Sequence, residues 1–137
     1  MQKGFFAAFM IHKILLVDDS PIARKILKSC MPKDREYEFH EAGDGQEGLN
    51  KFLEIKPDVT FLDITMPVMD GIESLEAMKD ADKNAVIIMC TADIQPKSIL
   101  RVAALGALTV IKKPPSKDTV QRALLKAEET LRQPGET

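Results

Sequence analysis

A chain of 137 residues is one domain by the usual size prior and is long enough to bury a sizeable single core. Its 19 Lys and Arg against 21 Asp and Glu leave a formal charge of −2, which removes any bulk electrostatic case for nucleic-acid binding. No apolar run approaches the roughly 20 residues that a membrane helix needs, so no membrane association is expected.

Residues 1–10 carry Lys3 and then Phe5-Phe6-Ala7-Ala8-Phe9. That is the order of features in a signal peptide, but no Ala-x-Ala site follows and the apolar stretch runs straight into a strand. The segment reads as a frayed leader or a start-site extension with Met10 as the start, and a short docking segment is its functional alternative. Residues 11–17 form an apolar, β-branched run broken by His12 and Lys13, as a central parallel strand would, and they end on Asp18-Asp19. Ser20 offers an N-cap and Pro21 a first helical position. Ile22, Ala23, Ile26, Leu27 and Cys30 then make an apolar stripe up to Pro32.

Residues 37–42 read as a more polar strand suited to a sheet edge. Gly43-Asp44-Gly45 turns into a second helix with a capping-box pattern at Asp44 and Glu47 and an inner face of Leu49, Phe52 and Leu53. Lys56-Pro57-Asp58 closes it, and residues 59–62 are a third strand that stops on Asp63. Asp70 caps a third helix, with Glu73 at the box position and Ile72, Leu75 and Met78 inward. Residues 85–90 are a fourth strand stopping at Thr91-Ala92-Asp93. Pro96 starts a fourth helix carried by Ile99, Leu100, Val102 and Ala103, with Gly106 at its C-terminal cap. Residues 108–111 are a fifth strand followed by Lys112-Lys113-Pro114-Pro115. Ser116 caps a last helix on Val120, Ala123, Leu124, Ala127 and Leu131, and residues 133–137 are a frayed tail. Five alternations of strand and helix with short links predict an α/β fold, a parallel sheet covered on both faces.

In such a sheet the carboxyl ends of the strands share one edge, where ligands bind. Asp18-Asp19, Asp63, Thr91 and Lys113 are therefore expected to converge. Three adjacent carboxylates repel unless a cation neutralises them, and a hard divalent ion with oxygen ligands answers that need. Zinc would want His or Cys, whereas His12 and His40 stand apart in strand-like segments and Cys30 and Cys90 read as buried thiols of a reducing compartment. An aspartate can act as a nucleophile toward phosphorus, Lys113 can meet phosphate oxygens, and the Thr91 hydroxyl can bond a phosphoryl group.

Val17-Asp18-Asp19-Ser20, Asp63, Met66-Pro67, Asp70-Gly71, Thr91-Ala92 and Lys113-Pro114, in that order, resemble the receiver domains of two-component response regulators. The resemblance covers residues 11–132 and is closest to single-domain regulators of the chemotaxis type. It implies a flavodoxin-like doubly wound sheet of five parallel strands in the order 2-1-3-4-5 with five helices. It also implies Mg2+, or Mn2+ in its place, bound by Asp18, Asp19, Asp63 and the backbone carbonyl of Thr65. Asp63 would accept the phosphoryl group, with Lys113 and Thr91 in contact with it and a cis Lys113–Pro114 peptide. Thr65 and Asp93 stand where the family tunes dephosphorylation. Val110 occupies the switch position at which the family often has an aromatic residue, and Pro115 replaces a large apolar one.

The function implied is a cytoplasmic phosphoacceptor signalling module, not an enzyme, acting either as a chemotaxis regulator or as a phosphorelay intermediate. Its partners would be a sensor histidine kinase or phosphotransfer protein on one side and a downstream target protein on the other, with the chain a monomer or weak dimer. The output surface would be the fourth helix, fifth strand and fifth helix. Two alternatives fit less well. A phosphohydrolase of the haloacid dehalogenase type wants a second Asp where Thr65 stands. A flavodoxin-like cofactor binder wants a phosphate-cradling loop where Asp18-Asp19 stand.

Overall fold

The computed structural model describes residues 11–132; the readings made for residues 1–10 and 133–137 lie outside them. Five strands alternate with five helices: β1 (Lys13–Val17), α1 (Pro21–Ser29), β2 (Glu38–Ala42), α2 (Gly45–Ile55), β3 (Val59–Leu62), α3 (Gly71–Ala81), β4 (Ile87–Thr91), α4 (Pro96–Ala104), β5 (Thr109–Lys112) and α5 (Lys117–Leu131). All strand pairs are parallel, and the sheet order is β2-β1-β3-β4-β5.

The central strands are buried on both faces, so their sequences are continuous apolar runs, and the period of two divides them between two cores. Ile14, Leu16, Phe61, Ile88 and Cys90 point toward Leu27 of α1 and toward Val120, Ala123, Leu124 and Ala127 of α5. Leu15, Val17, Leu62, Ile87 and Met89 point toward Phe52 of α2, Leu75 and Met78 of α3, and Val102 of α4. Two helices thus cover one face and three the other. β2, at the sheet edge, has only one fully buried residue, which explains its polar sequence.

The helix caps hold the loops that carry the site. Ser20 accepts the Ala23 N–H, Asp70 and Glu73 form a reciprocal capping box, and Ser116 accepts the Thr119 N–H, each worth about 1 kcal/mol. At α2 the box is displaced by one residue. Asp44 accepts the Glu47 N–H, but the Glu47 carboxylate takes the N–H of Gly43 rather than that of Asp44. Gly106 follows α4 at φ +100°, a conformation that suits glycine.

The helix stripes are narrower than the apolar spacing predicts. Ile22, Ile26, Leu53, Leu100 and Ala103 are exposed, with Ile22 at 71% and Leu100 at 70%. Each of these helices meets the sheet along one line of contact and turns its flanking positions to solvent. Four strand starts also shift, β1 to Lys13, β2 to Glu38, β4 to Ile87 and β5 to Thr109, because the residues ahead of each belong to the entering loops. β4 and β5 each run one residue further, to Thr91 and Lys112.

Candidate functional site

Register places the site. Val17 pairs with Leu62 across β1 and β3, so the next residues, Asp18 and Asp63, stand side by side as the strands end. The Asp63 N–H donates to the Val17 carbonyl at 3.0 Å. Across the same edge Thr91 pairs with Lys112, and the Lys113 N–H donates to the Thr91 carbonyl at 2.9 Å. Residues from position 18 to position 113 are thereby gathered at the carboxyl edge of the sheet, where an open α/β sheet binds ligands.

One carboxylate oxygen from each of Asp18, Asp19 and Asp63 lies within 4.8 Å of the others. Asp18 and Asp63 are each 7% exposed, while Asp19 faces solvent. Two carboxylates this buried require neutralisation. Lys113 provides it: its Nζ donates to Asp18 Oδ2 at 2.6 Å and to Asp63 Oδ2 at 3.0 Å. Burial works against the ammonium charge, yet the hydrogen bonds to Asp18 and Asp63 outweigh it and hold the Lys113 pKa above its ordinary value. The remaining oxygens are also engaged. Asp18 Oδ1 accepts the Ser20 N–H at 2.9 Å, and Asp63 Oδ1 accepts the Ile64 N–H at 2.7 Å.

The loop from Asp63 to α3 folds back tightly on the acidic residue. Gly71 donates its N–H to the Ile64 carbonyl at 2.7 Å, and a Cβ on Gly71 would fall 1.8 Å from the Asp63 carbonyl oxygen. Only glycine fits there, which accounts for the Asp70-Gly71 pair. Val68, in the same loop, holds φ +70° and is 83% exposed, an unfavourable backbone region for a β-branched residue. The Lys113–Pro114 peptide on the far side is cis.

The other expected site residues take varied positions. Thr91 ends β4 at 1% exposure, and its Oγ1 accepts the Asp93 N–H at 3.1 Å. Thr65 is exposed two residues after Asp63. The Asp93 carboxylate is occupied locally, accepting the Gln95 N–H at 3.2 Å and the Ser98 hydroxyl at 2.9 Å as α4 begins. Val110 packs half-buried against the core under α2, α3 and α4. Cys90 lies beside the cluster, where burial pushes its thiol up to about 12.

Three groups around the site were not singled out from the sequence. The backbone N–H of Ser20 serves Asp18, and Arg24 and Glu41 form a brace behind Asp18. The one available signal was the position of Arg24, four residues after the cap serine and so one turn into α1 above the strand end.

A parallel sheet in this order, with three acidic groups and a lysine on its carboxyl edge, can be compared with known proteins. The sequence model of the response regulator receiver domain matches residues 14–125. The chain belongs to the response-regulator receiver family. The chemotaxis protein CheY of Listeria monocytogenes is 41% identical over 116 residues, covering 84% of this chain and 97% of that protein. CheY of Bacillus subtilis is 38% identical over 117 residues, covering 85% and 98%. Among solved structures, a CheX–CheY complex with BeF3 and Mg2+ from Borrelia burgdorferi superposes with a TM-score of 0.77. It is 32% identical and covers 83% of this chain and 87% of that one. The chain is thus a two-component receiver domain of the chemotaxis-regulator type. Among the described residues no helix is long and apolar enough to cross a membrane.

The acidic cluster fits a hard divalent ion. It presents oxygen atoms only, from three carboxylates close enough to share one ion, and two of them are buried and rely on a counter-charge. The Borrelia complex itself contains Mg2+.

Proposed function

We propose that Asp63 is the phosphoacceptor of a stand-alone, cytoplasmic receiver that takes its phosphoryl group from a histidine kinase or phosphotransfer protein and presents it to a protein target. The observation that supports this most directly is the Lys113 ammonium held between Asp18 and Asp63 inside the acidic cluster. Phosphoryl transfer asks a protein mainly for alignment and charge neutralisation, and these groups supply both.

An Asp63 carboxylate oxygen attacks phosphorus; the new O–P bond forms as the P–N bond to the donor imidazole breaks, and the imidazole nitrogen keeps the electron pair. Asp18, Asp19, Asp63 and the Thr65 carbonyl would hold Mg2+, which when bound neutralises charge on the transferring group. Lys113 moves from the carboxylates to a phosphoryl oxygen, and the Thr91 hydroxyl turns from its loop to bond another. Thr65 and Asp93 flank the product and set its lifetime. The chain thereby acts as a switch rather than as a turnover enzyme.

The output surface is α4, β5 and α5. Thr91 at the end of β4 is paired with Lys112 of β5, so movement at Thr91 reaches this surface through the backbone. Val110 lacks the bulk for an aromatic rotamer swing, which leaves repositioning of the Thr91 loop as the readout.

The test uses acetyl phosphate as donor. The unsubstituted chain should incorporate phosphate with Mg2+ and not with EDTA, and Asp63→Asn should incorporate none. Equal labelling of Asp63→Asn would overturn the assignment.

A further inference from the structure

Arg24 takes no part in the steps above, yet its guanidinium bridges two strand ends next to the acidic cluster. From the first turn of α1 its Nη1 donates to the backbone carbonyl of Asp18, and its Nε donates to Glu41 Oε1 of β2 at 2.7 Å. Lys28, one turn further along α1, holds the other Glu41 oxygen at 2.6 Å. The two hydrogen bonds from Lys28 and Arg24 keep the Glu41 carboxyl below its ordinary pKa, so the brace is ionised at neutral pH. The Arg24 side chain is 16% exposed and Glu41 34%, so solvent reaches this brace only in part.

The brace matters because of what it leaves for Asp19. The Asp18 side chain is fixed at both oxygens, by the Ser20 N–H and by Lys113, and its own N–H donates to the Ala42 carbonyl at 3.1 Å. Among the described residues no hydrogen bond or ion pair holds the Asp19 carboxylate, although one of its oxygens lies within 4.8 Å of those of Asp18 and Asp63. The direction of the Asp19 side chain therefore follows from its backbone. The carbonyl that Arg24 grips belongs to the peptide linking Asp18 to Asp19.

We propose that Arg24 is a positioning residue for the divalent cation: by clamping the Asp18 carbonyl to Glu41 it fixes the Asp18–Asp19 peptide and so aims Asp19 into the cluster. The forked guanidinium is what the task requires, since two acceptors in different directions must be held at once. An ammonium offers one point of charge on a flexible stem. The inference rests on the reading of the cluster as a Mg2+ site.

Positioning and simple charge predict opposite signs. As a nearby cation Arg24 repels Mg2+, so its removal would tighten binding if charge were all that mattered. As a positioning group its removal weakens binding, on the order of tenfold or more for a group that orients a metal ligand without touching the metal.

The experiment is calorimetric titration of MgCl2 into the full chain at constant ionic strength, with circular dichroism confirming that each variant is folded. Arg24→Lys, which keeps the charge and loses the fork, and Arg24→Met should both bind Mg2+ about tenfold more weakly or worse. Glu41→Gln, which leaves Arg24 in place but loosens its anchor, should shift in the same direction and decides the matter if Arg24→Met does not fold. Arg24→Lys binding within about twofold of the unsubstituted chain, or Arg24→Met binding more tightly, would overturn the proposal while leaving the site itself intact. Failure of the unsubstituted chain to bind Mg2+ would overturn the reading of the site, and the positioning role with it.

Discussion

Replacing Lys113 by Met removes the only cation bonded to the side-chain carboxylates of Asp18 and Asp63 among the described residues. The two carboxylates then face each other across no more than 4.8 Å, a repulsion of at least about 3.5 kcal/mol at an effective dielectric near 20. Solvent offers little relief at the side chains of Asp18 and Asp63, which are 11% and 9% exposed, although some rotation and water entry follow. Breaking a buried ion pair from one side costs about 3–5 kcal/mol, and the partial exposure of Lys113 at 23% lowers that figure. We expect Lys113→Met to lose about 2–3 kcal/mol in urea unfolding at pH 7 with EDTA present. Saturating Mg2+ should shrink the deficit to less than about 1 kcal/mol, because the ion replaces the missing charge and no longer competes with an ammonium. A variant as stable as the unsubstituted chain in EDTA, or a deficit that Mg2+ leaves unchanged, would refute the electrostatic account.

Alkaline titration gives the same bridge a pH signature. The Lys113 pKa is raised in the folded chain from 10.5, so the bridge contributes fully below that value and is lost as pH rises through the folded value. The stability of the unsubstituted chain should fall toward that of Lys113→Met above about pH 10.5, and parallel curves would count against it. Thr60 Oγ1 is buried without a hydrogen-bond partner among the described residues, so Thr60→Val should raise stability by about 1 kcal/mol in urea melts. Val68→Asn should gain about 1 kcal/mol by placing at φ +70° a residue that tolerates that backbone, and a loss of stability would argue that the valine side chain is stabilising where it stands. With its thiol pushed up to about 12 by burial, Cys90 should resist an aromatic disulfide reagent at pH 8 until urea opens the chain.

What could be read from the sequence followed from local rules. Apolar runs such as residues 14–17 and 59–62 announce buried parallel strands, and Ser20, Asp70 and Ser116 announce helix starts because capping is a three-residue interaction. The site was legible for a related reason: in an alternating α/β chain, polar residues that end apolar runs must meet at one edge. Strand order carries no local signal and came from the family resemblance. The exposure of Ile22 and Leu100 depends on how closely each helix meets its neighbours, which hydrophobic spacing does not reveal. Charged pairs across the fold were equally invisible. Arg24 and Glu41 lie 17 residues apart, and Arg35 pairs with the buried Glu128 of α5 across 93 residues. At Val68 the sequence points away from the structure, since valine is a poor residue for a left-handed turn and is held there by the loop beside Asp63.

The central claim is that the phosphoryl group resides on Asp63. After phosphorylation by acetyl phosphate in Mg2+, borohydride reduction of an aspartyl phosphate converts that aspartate to homoserine, which peptide mapping can locate. The account predicts homoserine at position 63 and unmodified aspartate at positions 18 and 19. Homoserine at either of those positions, or none at 63 in a chain that has taken up phosphate, would contradict it.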